Sequence, residues 1–593
     1  MVDSGELEIF RHALTSVVEE MGVTLQRTAY STNIKIRRDH TCALFDADLR
    51  HVAQHDVAPQ HVGSLVSVVP RVMRGRTELE PGDGVLVNDP YEGAVHLPDV
   101  MLISPLFVDE ELVGYAANSA HHVDIGGPTP GGIPNDSTAL YGEGLILPGV
   151  KAVREWDYDD ELLELVLRNV REPAMRRGDF RAQLGANRIG ERRYADLHER
   201  HGAEAVRERL DALLDYTERR VRAAIGELPD GTFAATDTMD GDGVEDEPVE
   251  IALAITVDGD EMTLDFTGTA EENEGPLNCT PAMAFAGAMA HVMALLGGEL
   301  PKNDGFYRPF EFVTPAGTMV NPSRDRPVAA GWEVAMRAGE LVTKAMAEAV
   351  PERTIAGTKG VVANVAYGGH DPRDDEPYVF YETVAGGYGA RATKDGMDAV
   401  QAGFQNTANS PIEELETELP VYVRRYELIE DSAGAGRQRG GLGVRRDVEF
   451  YGERATFSLL ADRATTRPWG LFGGRPGSAA RYLVNPETDP VEVGSKSTTT
   501  LAPGEVGSVQ TPGGGGYGDP LERDPGAVLA DVRDGKVSVE AAAEEYGVVV
   551  EVGDADGAAT VDEDATDLRR DAIRERRGRE SSAAPDGTGA ADG

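Results

Sequence analysis

Seven residues near the start of the chain have types and spacing that could do chemistry: Asp39, His61, His96, Asp99, His121, His122 and Asp124. In the run HLPD, His96 and Asp99 stand three residues apart and lead into an apolar strand, and AHHVDIGG closes the next apolar run. If those two strands pair as a meander, the start of the first lies beside the end of the second, bringing His96 and Asp99 next to His121. Two imidazoles with one or two carboxylates suit a divalent transition metal such as Mn, Zn or Fe better than Ca or Mg, which favour all-oxygen shells. The competing reading is a structural polar network, because His and Asp in loops commonly serve as turn formers and hydrogen-bond partners. Five of the seven fall between positions 96 and 124 in a chain with only 12 histidines, which favours a site. Spacing alone leaves open whether His121 or His122 would face an ion.

The elements that must position these residues can be read from periodicity. Leu7, Phe10, Leu14, Val17, Val18 and Met21 recur at spacings of three and four, predicting a packing helix over Leu7 to Tyr30. Residues 33 to 53 turn to β character, and a second helix is predicted from His61 to Met73. Strands follow at Gly84 to Asn88, Val100 to Phe107 and Val113 to Ser119. The Gly- and Pro-rich stretch 121–149 reads as a structured loop of the kind that forms sites. Charged helical patterning over Asp159 to Leu228 predicts a helical arm or hairpin. The predicted class is mixed α and β, β-rich and multi-domain. The expected division is an α/β region over 1–150 carrying the metal site, the helical arm over 151–228, a β-rich region with inserted helices over 229–550, and a flexible acidic tail over 551–593.

Composition excludes several function classes. With 103 Asp+Glu against 57 Lys+Arg the formal charge is -46, so a nucleic-acid or anionic-membrane partner would be repelled. Only 8 of the basic residues are Lys and 49 are Arg. Many carboxylates with Arg kept and Lys shed is the pattern of salt-accumulating microbes, in which salt screens self-repulsion. Cys42 and Cys279 are too few for a disulfide framework and lack zinc-type spacing, which fits a reducing cytoplasm. The N-terminus shows no signal-peptide pattern, and no run of about 18 apolar residues is present.

The runs IRRDHTCALFDAD, HVGSLV, VNDPYEGAVHLPDV and AHHVDIGG resemble the hydantoinase B/oxoprolinase family. The resemblance continues through REPAMRRGDFRAQLGANR, GPLNCTPAMA, ETVAGGYGARATKDGMDAVQ, NSPIEELE and TPGGGGYGDP, covering about residues 4 to 550. It implies a metal site built from Asp39, His96, Asp99 and His121, with His122 and Asp124 orienting a ligand or moving a proton. It further implies a subunit that opens a small cyclic amide, a hydantoin or lactam, after a separate A-type subunit has spent ATP to activate the carbonyl. The chain itself contains no GxxxxGK[ST] phosphate loop, and AGTKG at 356 is too short to be one. Two alternatives are a carboxylase subunit like that of acetone carboxylase and a non-catalytic scaffold for the A subunit. One departure from the family pattern is His40, where an aromatic residue is expected.

Other candidates divide by chemistry. Glu143, in YGEGLILPG, could act as a general base or simply solvate the surface. His61 could contact substrate or pack at a helix start. Arg37 and Arg38 flank Asp39 and could pair with it or bind an acidic intermediate. The runs GGGGYGD and AGGYGAR could cradle a phosphate, but without a helix N-terminus at the right spacing they read as close backbone packing, and Arg391 as a weak anion contact. The two cysteines lack a neighbouring base and read as small buried hydrophobes.

Overall fold

In the computed structural model, residues 4–55, 57, 61–403, 405–553 and 559–583 are described. The predicted first helix forms as α1 (Ser4–Thr28), followed by α2 (Thr32–Lys35), β1 (His40–Asp46), β2 (His51–Gln54) and α3 (Val62–Met73). Then come β3 (Gly84–Val87), β4 (Asp99–Val108), β5 (Glu111–His121), β6 (Pro148–Arg154) and β7 (Asp157–Tyr158). These strands make one seven-stranded antiparallel sheet in the order β2-β1-β5-β4-β3-β6-β7. β6 straddles residue 150, where the sequence reading placed a boundary.

Both faces of this sheet are covered. The region expected as a helical arm or hairpin contains α4 (Asp160–Leu167), α5 (Pro173–His201) and α6 (Ala203–Ile225). α5 turns through Gly202 into α6, and α5 lies on the sheet together with α1 rather than projecting away from it. Ala116 and Ala120 of β5 meet Leu14, Val18 and Met21 of α1 and Ala182 and Ala186 of α5. Each large apolar side chain buried this way contributes about 1.5–3 kcal/mol. The opposite face carries Met101, Ile103, Tyr115 and Ala117 against Leu65, Val68 and Val69 of α3. Successive strand residues point to opposite faces, so odd-numbered positions of β4 and β5 look toward α3 and even-numbered ones toward α5.

The middle of the chain adds β8 (Gly231–Met239), β9 (Val249–Asp258), β10 (Glu261–Asp265), α7 (Pro281–Leu296), α8 (Asp304–Tyr307), β11 (Phe310–Val313) and α9 (Gly331–Ala345). Its four strands run β11-β10-β9-β8, with only β10 and β11 parallel, and α7 and α9 pack on them in one apolar core. The β-rich region then forms a sandwich. Its first strands and helix are β12 (Asn364–Asp371), β13 (Glu376–Thr383), α10 (Ile412–Glu418), β14 (Val421–Leu428), β15 (Val444–Phe450) and β16 (Ala455–Leu460). The remaining strands are β17 (Arg481–Val484), β18 (Val491–Glu492), β19 (Lys496–Leu501) and β20 (Val506–Gln510). The sheets β13-β12-β16-β19 and β14-β15-β20-β17-β18 share a core containing Tyr367, Phe380, Phe450 and Phe457.

The glycine-rich runs are packing devices, as their composition suggests. Gly513, Gly514, Gly515 and Gly516 pass so close to other backbones that an added Cβ would lie 2.0–2.2 Å from a carbonyl oxygen in each case. The run 513–516 is cross-bonded to neighbouring segments, with Gly515 donating to Gly357 and accepting from Ala390, and Gly514 donating to Gly441 and accepting from Gly434.

The C-terminal end differs from the flexible tail expected over 551–593. α11 (Pro525–Arg533), α12 (Val539–Glu545), the pair β21 (Val550–Val552) and β22 (Ala559–Val561), and α13 (Glu563–Ala583) follow one another, with Val528, Ala542, Tyr546 and Ala559 in a small core. α13 is docked, since Ile573 is buried and Arg570 donates to the carbonyls of Tyr546 and Arg523. The basic run in this segment, low in apolar content, attaches through arginine-to-carbonyl bonds that a hydropathy pattern does not reveal. Residues 584–593 of that expected tail lie outside the described residues.

Candidate functional site

Asp99 and His121 are direct cross-strand partners at the paired ends of β4 and β5. Both are odd-numbered, so both side chains face α3, and directly opposed side chains on one face of a sheet lie in contact range. α3 runs across that face, and the residue preceding it, His61, is buried against the same spot. Asp39 immediately precedes β1, the other neighbour of β5, and its carbonyl accepts the His121 N–H at 3.1 Å. His96 sits in the turn before β4, where its carbonyl accepts the N–H of Asp99 at 3.0 Å. Residues drawn from five segments therefore converge on one end of the sheet.

The donor atoms lie close together. His121 Nδ1 is 3.0 Å from Asp99 Oδ1, His96 Nε2 is 3.1 Å from His121 Nδ1, and His96 Nε2 is 3.3 Å from Asp99 Oδ2. His61 Nε2 lies 3.5 Å from Asp99 Oδ1 and 3.8 Å from Asp39 Oδ1. Donors bonded to one transition-metal ion at about 2.1 Å stand roughly 3.0–3.4 Å apart, and His96, Asp99 and His121 each bring a donor atom within 4.8 Å of the other two. Asp99 Oδ2 and His121 Nε2 are buried and make no hydrogen bond among the described residues. The set of two imidazoles and a carboxylate fits a divalent transition metal, while Asp39, expected as a fourth ligand, lines the adjoining cavity with His61 and is not part of that group. Burial raises the Asp99 carboxyl, but the imidazoles of His96 and His61 and the bond from His121 outweigh it and hold the group well below the usual carboxylate range. Burial lowers His121, opposed by its bond to Asp99, whereas in His61 the pull of Asp99 overcomes burial and raises the group.

A small cavity of about 20 Å³, the space of one water or ion, opens beside this cluster. Asp39, His61, Asp99 and His121 form one wall, and Trp332, Val362, Tyr381 and Gln405 the other. The indole N–H of Trp332 donates to His96 Nε2 at 3.2 Å. The Tyr381 ring stacks on the His121 imidazole at 4.5 Å and 19°, while the Arg37 guanidinium lies over that tyrosine ring at 4.9 Å. Tyr381 is fixed in turn by its hydroxyl, which donates to Asn364 Oδ1. Sequence reasoning missed Trp332, Tyr381 and Gln405, which stand more than 200 residues from β5 in isolated runs without a chemical pattern.

The remaining candidates are placed elsewhere. His122 lies beyond the end of β5 and faces α5, where its Nε2 pairs with Gln183 Oε1 at 3.0 Å; burial lowers it to about 4. Asp124 accepts from the backbone of Gly126, Gly131 and Arg171 and from the Arg171 guanidinium, which makes it a loop anchor. Glu143 is fully buried and accepts from Ser137 and from the N–H groups of Val328 and Ala329 just before α9; burial raises it to about 7. None of the three lines the cavity among the described residues. Arg37 turns away from Asp39 to bond Asn33, Thr383 and the carbonyls of Tyr381 and Ala408. His40 pairs across to Ala120 and so faces α1, opposite the cluster, where burial lowers it to about 3. Lys359 of AGTKG is buried and donates to the Val384 carbonyl and Gln401, an internal lysine that burial lowers to about 7. Cys42 and Cys279 are buried thiols whose burial raises them.

A family model described as hydantoinase B/oxoprolinase matches residues 3–520. Caprolactamase subunit beta of Pseudomonas jessenii is 32% identical over 585 residues, covering 96% of this chain and 99% of that protein. The crystal structure of ATP-dependent caprolactamase from the same organism superposes with a TM-score of 0.87 at 31% identity, over 96% of this chain and 100% of the other. 5-oxoprolinase 1 of Arabidopsis thaliana is 32% identical over 543 residues, which is 87% of this chain and 42% of that longer protein. Acetone carboxylase in its nucleotide-free structure shares the fold, with a TM-score of 0.90 at 22% identity over 97% of this chain and 84% of the other.

Proposed function

The chain belongs to the hydantoinase B/oxoprolinase family, and on that premise we propose that it is the metal-dependent hydrolytic subunit of an ATP-dependent cyclic amidase. It opens a hydantoin or lactam after an A-type partner has activated the carbonyl. The observation that carries this reading is the convergence of His96, Asp99 and His121 donors at 3.0–3.3 Å beside a cavity that Asp99 and His121 line. An ion of Mn, Zn or Fe held there supplies Lewis-acid polarisation and a water that ionises near neutral pH.

The chain's own residues do the rest. Asp99 would supply the carboxylate of the ligand set and sets the spacing between the two imidazoles. Trp332 packs edge-on against the ring of His96, and Tyr381 fixes that of His121 by stacking. His122 and Glu143 hold the loops on either side, and their role is to keep the cluster in place. The apolar faces of Trp332, Val362 and Tyr381 thin the water around the reacting carbonyl. Supporting an A-type partner are the absence of a phosphate loop from the sequence, the burial of Lys359, and relatives named as a subunit or as a longer protein.

Metal analysis of protein purified in molar KCl, beside Asp99→Ala, tests the site. About one transition-metal ion per chain is expected in the wild type and less than a tenth of that in the variant, with unchanged circular dichroism. A metal-free wild type that still binds its partner would move the reading to a scaffold.

A further inference from the structure

Both backbone groups of His121 are held by one short segment of the N-terminal region. The His121 N–H donates to the Asp39 carbonyl at 3.1 Å, and the His121 carbonyl accepts from Asn33 Nδ2 at 2.8 Å. Asn33 also closes this segment on itself, because its own carbonyl accepts the Asp39 N–H at 3.2 Å. Its placement follows from α2, a single turn capped by the Ser31 side chain, and the Ser31 N–H is in turn taken by Asp179 of α5 at 2.9 Å.

Arg37 stands four residues beyond Asn33, the spacing that brings two side chains together on one helical face. Its Nη1 donates to Asn33 Oδ1 and to the Tyr381 carbonyl, both at 2.6 Å, its Nη2 to Thr383 Oγ1 at 3.1 Å and its Nε to the Ala408 carbonyl at 3.2 Å. Tyr381 and Thr383 lie on β13, the edge strand of its sheet. Arg38, at φ +59, then turns the chain, so that Arg37 reaches the sandwich while Asp39 lines the cavity. A bulky residue in that left-handed region carries strain.

A closed ring of contacts results. From the His121 carbonyl it passes through the Asn33 carboxamide to the Arg37 guanidinium and on to the Tyr381 backbone. It returns through the Tyr381 ring, stacked on the His121 imidazole at 4.5 Å. The guanidinium also lies over the tyrosine ring, 4.9 Å from its centre. Asn33 and Arg37 are both buried, so water does not compete for these bonds.

We propose that Asn33 and Arg37 are positioning residues for the metal site, a pair that sets the main chain and the ring of His121 together. Neither residue lines the cavity or belongs to the His96, Asp99 and His121 group. They act through His121, because a ligand side chain must be held to within about 0.5 Å of its productive place by what surrounds it. Since the ring of contacts includes Tyr381, seating the sandwich on the N-terminal sheet and binding the ion become one event. This rests on the metal-site part of the reading above and is independent of the substrate.

The test uses the full-length protein in molar KCl, stripped of metal and titrated with Co(II) against a chelator, with the visible d–d bands recorded at saturation. Arg37→Lys keeps the charge and loses the planar fork, and Asn33→Ala removes the link to the His121 carbonyl. Each is expected to weaken Co(II) binding about tenfold and to shift the d–d bands, with unchanged circular dichroism. Because both changes cut the same ring, the double variant should bind within about threefold of the weaker single one, where independent effects would give about a hundredfold loss. Gly504→Ala, which strains a turn between β19 and β20 at φ +86, should keep wild-type affinity and bands, separating positioning from a general loss of stability. Either single variant decides by itself. Wild-type affinity and bands in a folded Arg37→Lys or Asn33→Ala, or losses that multiply in the double variant, overturn the proposal. A wild type that binds neither Co(II) nor Mn(II) overturns the metal-dependent reading and the proposal with it.

Discussion

Glu143 shows how burial, rather than residue type, decides what a carboxyl does. With the group raised to about 7 from an ordinary 4.5, its protonation suits a general acid or base. Yet one oxygen is taken by Ser137, Val328 and Ala329, and the side chain does not line the cavity. Its measurable consequence is on stability. A carboxyl that binds its proton more tightly when folded stabilises the fold fully below pH about 4.5, and that contribution is lost as pH rises to about 7. The loss is roughly 3 kcal/mol. Glu143→Gln keeps an acceptor for both backbone N–H groups and removes the titration. Urea midpoints between pH 4.5 and 8 should therefore fall less steeply in the variant than in the wild type. Glu333, raised to about 8 by burial, adds a slope common to both proteins, so the difference between the two curves is the readout. Parallel curves would show that Glu143 does not titrate in this window.

Among the elements, the glycine run 513–516 makes the sharpest contrast between two uses of the same residue. Gly515 is needed for proximity: a Cβ there would stand 2.0 Å from the Trp469 carbonyl oxygen, and backbone cannot yield as a side-chain tip does. Gly504 is needed for conformation alone, with φ +86 and nothing within 4 Å of an added Cβ. Gly515→Ala should cost about 3 kcal/mol through forced separation of packed backbone segments, and Gly504→Ala about 1–2 kcal/mol through left-handed strain. Equal losses in thermal unfolding would remove the packing account. The same contrast explains what the sequence revealed. The β4–β5 pairing was legible because two apolar runs, bounded by HLPD and AHHVDIGG, read as neighbouring strands of a meander, whose pairing brings Asp99 beside His121. The choice of His121 over His122 needed the parity of β5, which residue type does not carry. His61 could be placed only once α3 was seen to cross the α3-facing side of the sheet. Trp332, Tyr381 and Gln405 enter from α9, β13 and the loop after Ala402, and only the folded arrangement of the middle region and the sandwich brings them to the cluster.

At the scale of the whole molecule, charge divides into two populations, one insensitive to salt and one that salt relieves. Inside, Arg337 pairs with Asp462 at 2.8 Å, Arg463 with Glu340 at 2.9 Å and Lys496 with Asp462 at 3.2 Å, tying α9 to the sandwich through groups that solvent scarcely reaches. Such pairs are little screened, and breaking one by removing a single partner costs about 3–5 kcal/mol. Outside, much of a formal charge of -46 is spread over exposed carboxylates whose mutual repulsion is cut when the Debye length falls from about 10 Å at 0.1 M salt to about 3 Å at 1 M. Stability should therefore rise with KCl through relief of surface repulsion while the internal pairs stay intact. Lowering KCl from molar to 0.1 M is expected to reduce the unfolding temperature by roughly 10 °C. Isosmotic sucrose in place of KCl should restore little of the loss, because it excludes itself from the surface without screening charge. An unfolding temperature indifferent to KCl, or restored as fully by sucrose, would mean that the acidic surface is tolerated without being an adaptation to salt.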